Sequence, residues 1–323
     1  MDTLRLGTRG SELALFQANT VAALLLQHTS VASNIVVIKT SGDRLADASL
    51  AQIGGKRLFV KEIEDALLAG EIDLAVHSSK DMPAVLPPGL RVGAVLRRED
   101  PHDAIVLPGT ERTSLSLDEV VGRLGRRPRI GTSSVRRVAQ LVRLLPEATF
   151  LPVRGNLGTR LRKLDAGEYD ALVLAAAGLR RLGREDRIAA AVPVDVCVPA
   201  PGQGIIAVEI REGDDRVRRA VQSIDDADAA VALCAERTVV TRLGGGCQMP
   251  IGVLAEPSGT ELTVKGIVVS PDGARIARAS ATGLRHDAEG LGISVADELL
   301  RGGAGDILAD VQRDHAAVEG IQP

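Results

Sequence analysis

The sequence predicts an α/β protein in which two doubly wound α/β domains are followed by a small α+β C-terminal domain. Short apolar runs alternate with helical patterns through the first two-thirds of the 323 residues, and this alternation is typical of a largely parallel sheet. Gly70 and Gly167 stand where helix C-terminal glycines are expected. After the glycines at 244–246 the pattern changes to successive strands followed by helices, which indicates an α+β domain.

The predicted elements follow one another in a regular order. Strand patterns cover residues 4–6, 35–39, 72–76, 92–96, 129–130, 150–153, 171–174 and 205–210. Helical patterns between those strands cover residues 13–27, 58–68, 135–144 and 157–165. In the last part, residues 254–281 contain two or three strands with turns at 257–259 and 271–273, and helices are expected at 229–243, 288–300 and 306–312.

Three stretches indicate domain boundaries. They are a charged run ending in proline at 97–101, a stretch rich in proline and glycine at 198–202, and an acidic run at 225–228. These stretches predict a discontinuous first domain of residues 1–98 and 200–222, a second domain of residues 99–199 and a third of residues 223–323. The sequence shows no internal repeat.

The composition argues against several classes of protein. A net charge of −3 and only 1% aromatic residues do not suit a nucleic-acid-binding protein. Neither a signal peptide nor an apolar run of about 18 residues is evident, so we expect no membrane span and a cytoplasmic location. Three cysteines argue against a disulfide framework, and the five scattered histidines lack metal-ligand spacing, so we expect no bound metal.

Arginines recur where predicted strands end. Ligands of open α/β sheets bind at those ends, and arginine pairs well with carboxylates, so the cluster predicts a ligand with several carboxylates. A serine-capped helix with two solvated arginines explains the first segment, 131–137, equally well, and any single arginine is explained as a surface residue. The arginines concerned are Arg136 and Arg137 in 131–137, Arg154 and Arg160 in 153–160, and Arg180 and Arg181 after strand 171–174.

Lys80 and Asp81 follow another predicted strand, within segment 76–83. A Lys-Asp dipeptide is usually a solvated ion pair of little energetic value. Beside a cationic cleft, however, we expect Asp81 to be the only nearby carboxylate, and there it would stabilise a developing cation and shuttle protons.

Cys247 differs from the other two cysteines. It lies on a loop between domains behind three glycines, which leave its backbone a free choice of conformation. A loop thiol can serve as a nucleophile or as a covalent attachment point. Cys197 lies in an apolar run and Cys234 within a helix, so both are expected to be buried and inert.

Together these segments resemble the porphobilinogen deaminases (hydroxymethylbilane synthases). Nine matching segments run in family order along nearly the whole chain, which makes the resemblance specific. They are 7–9, 41–43, 54–62, 77–83, 131–137, 154–160, 175–181, 201–204 and 245–250. Two positions depart from the family's pattern, in a segment that looks like a loop over the cleft: Arg57 replaces a glycine, and Gln52 stands where some members have lysine.

The resemblance implies two periplasmic-binding-protein-like α/β domains with the cleft between them and a third domain that carries the cofactor. It implies a transferase that condenses four porphobilinogen molecules head to tail and releases ammonia, then hydroxymethylbilane by hydrolysis, in haem and porphyrin (tetrapyrrole) biosynthesis. The implied cofactor is a dipyrromethane held by a thioether to Cys247. The family also suggests a monomer whose product passes to uroporphyrinogen-III synthase.

The same resemblance assigns the site residues. Asp81 matches the catalytic carboxylate. The cofactor-binding positions are Cys247, Lys80, Asp81, Ser78, Ser134, Arg136, Arg137, Arg160 and Asp43. The substrate-binding positions are Arg9, Arg154, Arg160 and Arg181.

Two other functions stay open on the sequence. A non-catalytic two-lobed protein that binds carboxylates or other anions would suit the same sheets and arginines, but it gives Cys247 no role. A phosphate-transferring enzyme is less well supported, because the G-x-x-x-x-G-K-[ST] loop is absent.

Overall fold

Three β-sheets organise the part of the chain that the computed structural model describes, residues 3–40, 60–109, 115–246 and 249–319. The first two sheets carry helices and strands in alternation, and the third is an antiparallel sheet with helices on one face. The predicted fold class is therefore confirmed.

The first sheet has the strand order β2-β1-β3-β10-β4. Its strands are β1 (Leu4–Thr8), β2 (Ser33–Val37), β3 (Leu74–Ser78), β4 (Leu90–Val95) and β10 (Ile206–Arg211). The helices that accompany it are α1 (Glu12–Thr29), α2 (Lys61–Leu68) and α7 (Asp215–Gln222). Strands β1, β2 and β3 are parallel, whereas β10 runs antiparallel to both β3 and β4. One face packs against α1 and α7 through residues such as Val21 and Val217, and the other packs against α2 through Ile63.

The second sheet has the strand order β7-β6-β8-β5-β9. Its strands are β5 (Asp103–Val106), β6 (Arg129–Gly131), β7 (Thr149–Leu151), β8 (Ala171–Ala175) and β9 (Ala190–Val192). Its helices are α3 (Leu117–Leu124), α4 (Val135–Leu141), α5 (Leu157–Asp165) and α6 (Ala176–Arg181). Strands β6, β7 and β8 are parallel, and β5 runs antiparallel to β8 and β9.

The two sheets share one topology, although the sequence shows no repeat. In each, three parallel strands stand in the order second, first, third, followed by an antiparallel strand and an edge strand. The antiparallel strand is reached across a connection from the other sheet: residues 96–102 lead from β4 to β5, and residues 193–205 lead from β9 to β10. The chain therefore crosses twice between the sheets, and both connections lie side by side.

The third sheet is a meander of β11 (Ile251–Ser258), β12 (Glu261–Val269) and β13 (Ile276–Leu284). Helices α8 (Ala227–Arg242), α9 (Ala288–Arg301) and α10 (Ala304–Glu319) accompany it. Apolar residues of the sheet and of these helices form one core. Among the helices within the described ranges, none is long and apolar enough to cross a membrane.

The third sheet and its helices contact both of the other sheets. Leu254 of β11 packs in one apolar cluster with Ala139 of α4, beside the second sheet. Leu233 of α8 packs in another cluster with Met82, which lies four residues after the end of β3 in the first sheet. The cleft between the first two sheets is thus closed on one side by the third.

Candidate functional site

The carboxyl ends of the parallel strands in the first two sheets bring the candidate residues together. Strand β3 ends at Ser78 and continues into a short 3₁₀ helix, Ser79–Asp81. Strand β6 ends at Gly131, and Ser134 then begins α4 by accepting a hydrogen bond from the backbone N–H of Arg137 at 3.4 Å. These two turns come from different sheets and line one cavity between them.

That cavity, called the junction cavity here, is lined by all three parts of the molecule. The first sheet contributes Lys80, the second contributes Ser134 and Arg136, and α8 contributes Arg237. Further lining residues are Ser79, Met82, Ala84, Ala200, Pro201, Leu233, Val240, Gly246, Met249 and Ile251.

Arg136 and Arg137 are buried, with 4% and 7% of their surface exposed, and both pair with the carboxylate of Asp103. The distances are 2.7 Å from Nη1 of Arg136 to Oδ2 and 2.8 Å from Nη2 of Arg137 to Oδ1. Two solvated arginines, the alternative that the sequence left open, are therefore excluded. The expectation that Asp81 is the only nearby carboxylate was also wrong, because the charge of Asp103 acts on neighbouring Lys80.

Lys80 is a half-buried cation in this cluster. Burial lowers the pKa of its ammonium to about 8, because the charged form loses hydration. The carboxylates of Asp81 and Asp103 counteract that effect, and the two buried arginines add to it.

Arg160 adds a fourth positive charge. Its Nε donates to the carbonyl oxygen of Gly155 at 2.9 Å, which folds the side chain back over the start of α5. Burial and the charge of Arg137 lower the pKa of its guanidinium, whereas Asp81 raises it. Among the described residues, Lys80 and the three arginines Arg136, Arg137 and Arg160 thus interact with two carboxylates, Asp81 and Asp103, so this cluster has capacity for anions brought by a ligand.

The predicted arginines Arg154, Arg180 and Arg181 differ in their surroundings. Arg181 of α6 donates from Nη2 to the carbonyl oxygen of Gly204 at 2.6 Å, which links the second sheet to the connection that leads to β10. Arg154 follows β7 and is half-buried. Arg180, in contrast, pairs on the surface with Asp100 at 3.1 Å.

A second cavity, called the first-sheet cavity here, lies on the other side of Asp81. It is lined by Arg9, Ser11, Leu13, Ala14, Gln17, Val60, Val76, His77, Ser78 and Asp81. Gln17 is buried and donates from Nε2 to Oγ of Ser78 at 2.8 Å, which fixes the hydroxyl at the end of β3. Sequence reasoning missed Gln17 and Ser11; the polar glutamine in the otherwise apolar stripe of α1 was the available signal.

Several predicted residues lie outside the described ranges. They are Asp43, Gln52, Arg57 and Cys247. Gly246 and Met249, the described residues that flank Cys247 and Gln248, both line the junction cavity.

The two remaining cysteines differ in exposure. Cys197 is fully buried beside Asp103 and Arg136, and burial raises the pKa of its thiol to about 12, as expected of an inert packing residue. Cys234 was also expected to be buried, but it is exposed. It lies on α8 beside the buried Leu233 and Ala235, so the helical pattern was right and the face assigned to the cysteine was wrong.

Comparison with known proteins covers most of the chain. The family profile described as porphobilinogen deaminase, dipyromethane cofactor binding domain, matches residues 4–219, and the profile for the C-terminal domain of porphobilinogen deaminase matches residues 230–301. A curated porphobilinogen deaminase of Geotalea uraniireducens (strain Rf4) is 42% identical over 320 residues, covering 99% of this chain and 98% of that protein.

Two solved structures of binding domains show a distant likeness. The periplasmic VFT2 domain of Bordetella pertussis BvgS is 18% identical, covers 69% of this chain and 86% of that one, and has a TM-score of 0.39. The second substrate-binding domain of Lactococcus lactis GlnP is 9% identical, covers 76% and 91%, and has a TM-score of 0.42. Similarity at these scores carries no functional argument.

Proposed function

Because the chain belongs to the porphobilinogen deaminase family, we propose that its cationic cleft binds the carboxylates of a dipyrromethane primer and of incoming porphobilinogen. The activity is the stepwise head-to-tail condensation of four porphobilinogen molecules, with release of ammonia and then of hydroxymethylbilane, and the cofactor is dipyrromethane. The observation that carries the residue assignment is the charge of the described cluster, in which Lys80 and three arginines (Arg136, Arg137 and Arg160) accompany only two carboxylates, Asp81 and Asp103. Lys80 and Arg136 of this cluster line the junction cavity.

The residues at the junction cavity suit a primer with several carboxylate groups. Nη1 of Arg136 donates to Asp103 and to the carbonyl oxygen of Val198, whereas its Nε and Nη2 make no hydrogen bond to the described residues. That edge of a guanidinium matches a carboxylate in two-point pairing. Lys80 and Ser134 line the same cavity and add a charge and a hydroxyl.

Cys247 is the proposed attachment point of the primer. The support is positional: Gly246 and Met249 on either side of the Cys247–Gln248 pair line the cavity that holds the cations. The other thiols are poorly placed for this role, since Cys197 is buried among polar partners and Cys234 does not line either cavity. When bound, the dipyrromethane supplies the pyrrole α-carbon to which the first porphobilinogen is joined.

Asp81 is the proposed catalytic carboxylate. It lines the first-sheet cavity, its neighbour Lys80 lines the junction cavity, and its own side chain is exposed to the cleft. A carboxylate held between two anion-binding cavities can stabilise the positive charge that develops as ammonia leaves and can accept the proton that the ring then loses. Arg9, Arg154, Arg160 and Arg181 are proposed to orient the carboxylates of the incoming substrate.

The domain division belongs to the same proposal. Residues 1–98 with 200–222, 99–199 and 223–323 would each form a domain, and the division is supported because each of these sets contains one sheet. We further propose a transferase that acts as a cytoplasmic monomer and passes its product to uroporphyrinogen-III synthase. A cavity completed by three parts of a single chain supports the monomer.

Intact-mass spectrometry of the purified protein tests the proposal without relying on turnover. We expect one adduct of two linked pyrroles, located in the peptide around residues 244–250, and a coloured product with acidic Ehrlich reagent. Cys247→Ser should lack the adduct, and Cys234→Ser is the matched control that should retain it. An active enzyme with the mass of the bare chain, or an adduct on Cys234, would exclude Cys247 as the attachment point.

A further inference from the structure

Asp103 lies at the centre of the most extensive buried polar network near the cleft. It is the first residue of β5 and is completely buried. Its Oδ2 accepts from Arg136, and its Oδ1 accepts from Nε and Nη2 of Arg137, at 2.9 and 2.8 Å, and from Nε2 of Gln203 at 3.0 Å. Burial alone would raise the pKa of this carboxyl, but the two arginines outweigh that effect and hold it well below its usual range.

The network fixes the direction of both guanidinium groups. Arg137 is held on three nitrogens, because Nη1 donates to the carbonyl oxygen of Val173 at 3.0 Å in addition to the two bonds with Asp103. Arg136 is held through Nη1 alone, which meets Asp103 and the carbonyl oxygen of Val198, so its other edge remains available beside the junction cavity.

The same carboxylate is joined to both connections between the sheets. Gln203 belongs to connection 193–205, and its Nε2 also donates to the carbonyl oxygen of Pro101 in connection 96–102, at 2.7 Å. Val198, which accepts from Arg136, belongs to the second connection as well. Displacement of either connection would therefore act on the atoms that orient the arginines.

We propose that Asp103 is a positioning residue that holds the guanidinium groups of Arg136 and Arg137 in a fixed orientation toward the carboxylates of the primer. The inference rests on the proposed function, since it assumes that these arginines bind the primer. One carboxylate between two guanidinium groups leaves a net positive charge for the ligand. It also fixes their geometry before binding, so less conformational freedom is lost when the primer is assembled.

The variant Asp103→Asn keeps the shape of the side chain and removes its charge. Asp170→Asn is the matched control, because Asp170 also pairs with the Nε and Nη2 of an arginine, Arg129, but does so at the surface and at the opposite end of the second sheet. Apoprotein from cells that make no porphobilinogen is mixed with porphobilinogen, and primer assembly is followed by intact mass. We expect at least tenfold slower assembly in Asp103→Asn and an unchanged rate in Asp170→Asn.

The pH dependence of assembly separates positioning from a loss of folded protein. Lys80 faces Asp81, Asp103, Arg136 and Arg137, and of these the two carboxylates raise its pKa. Primer assembly should slow at alkaline pH, where the ammonium of Lys80 loses its proton. Removing the charge of Asp103 lowers the pKa of Lys80 further, so this decrease in assembly rate should move to lower pH. A merely structural defect would reduce the rate equally at every pH and leave the position of that fall unchanged.

Arg137→Lys keeps the inference testable if Asp103→Asn does not fold. Lysine retains the charge beside Asp103 but cannot reproduce the two-point pair, so we expect a folded protein with at least fivefold slower primer assembly. Wild-type assembly in folded Asp103→Asn or in Arg137→Lys would overturn the positioning role. If primer assembly is slow in Arg136→Ala but normal in Asp103→Asn and Arg137→Lys, only the positioning role of Asp103 is excluded. If primer assembly is also normal in Arg136→Ala, the proposed function of the arginines is excluded.

Discussion

Arg98 and Glu236 form a two-point ion pair, in which the Nη1–Oε1 and Nη2–Oε2 distances are both 2.8 Å. Glu236 of α8 is completely buried and also accepts from the backbone N–H groups of Gly202, at 2.6 Å, and Ala255, at 2.7 Å. Since Arg98 and Gly202 belong to the two connections, this one carboxylate joins both of them to the third sheet.

Replacing Glu236 by glutamine should destabilise the protein strongly. The change leaves the guanidinium of Arg98 partly buried without its counterion, and breaking such a pair costs about 3 kcal/mol of unfolding free energy. Glu256→Gln is the control, because its pair with Lys265 is exposed and should change stability by less than about 1 kcal/mol. Urea denaturation of both variants measures the difference, and equal losses would contradict the assigned importance of the buried pair.

Asp81→Asn should separate activity from stability. The side chain is exposed, so we expect the free energy of unfolding to change by no more than about 0.5 kcal/mol. A preorganised charge at the reacting atoms is worth roughly 100- to 1000-fold in kcat, and the variant should lose at least that much. Asp81→Glu should retain a trace of turnover because the charge is displaced but kept. Turnover of Asp81→Asn within about tenfold of wild type, or about 1.4 kcal/mol, would remove Asp81 from the catalytic role.

Primer assembly by apoprotein should fall as the pH rises through about 8, the pKa to which burial lowers the ammonium of Lys80. Below that pH the group is charged and attracts carboxylates; above it the amine is neutral. Lys80→Arg keeps its charge, so the fall should disappear in that variant, and an identical fall in both proteins would show that another group titrates. The free energy of unfolding changes in the opposite direction. Between pH values of about 8 and 10.5, Lys80 is protonated in the unfolded chain but largely neutral in the folded protein, so its contribution makes unfolding less favourable as the pH rises.

Gly204→Ala should be far more damaging than Gly167→Ala. Both glycines have positive φ, +88° and +78°, which alanine adopts at a cost of about 1 kcal/mol. A Cβ on Gly204 would also lie 2.2 Å from the carbonyl oxygen of Glu99 and force the two connections apart, whereas a Cβ on Gly167 would meet nothing within 4 Å. We expect a loss of about 3 kcal/mol or more for Gly204→Ala, measured by thermal or urea unfolding. Equal effects at the two positions would refute the steric argument.

Local patterns predicted most strands of the first two sheets, because these strands are short apolar runs. Strands β5 and β9 were missed. Strand β5 has only four residues and begins with Asp103, directly after the charged segment that indicated a boundary. A buried aspartate is acceptable there only because Arg136 and Arg137, more than 30 residues later, neutralise it, and no local pattern reports that pairing.

The candidate site was predicted from a different kind of information. Matched motifs indicated Lys80, Asp81 and the arginines, and the structure groups Lys80 and Asp81 with Arg136, Arg137 and Arg160. The partners that hold the arginines were not predictable in the same way. Asp103 belongs to no matched segment. It meets the two arginines only because the chain passes from β4 of the first sheet to β5 of the second, and Asp103 is the first residue of β5.

The place of β10 between β3 and β4 in the first sheet sets the order in which a nascent chain can fold on the ribosome. Within the described strands, β4 pairs only with β10, and β10 also pairs with β3, so the first sheet stays in two pieces until residue 211 has been synthesised. The second sheet is complete at Val192. The second sheet can therefore be complete while the first sheet, made earlier, still lacks the strand that joins β3 to β4. Chains that stop before Ile206 carry unpaired strand edges prone to aggregation.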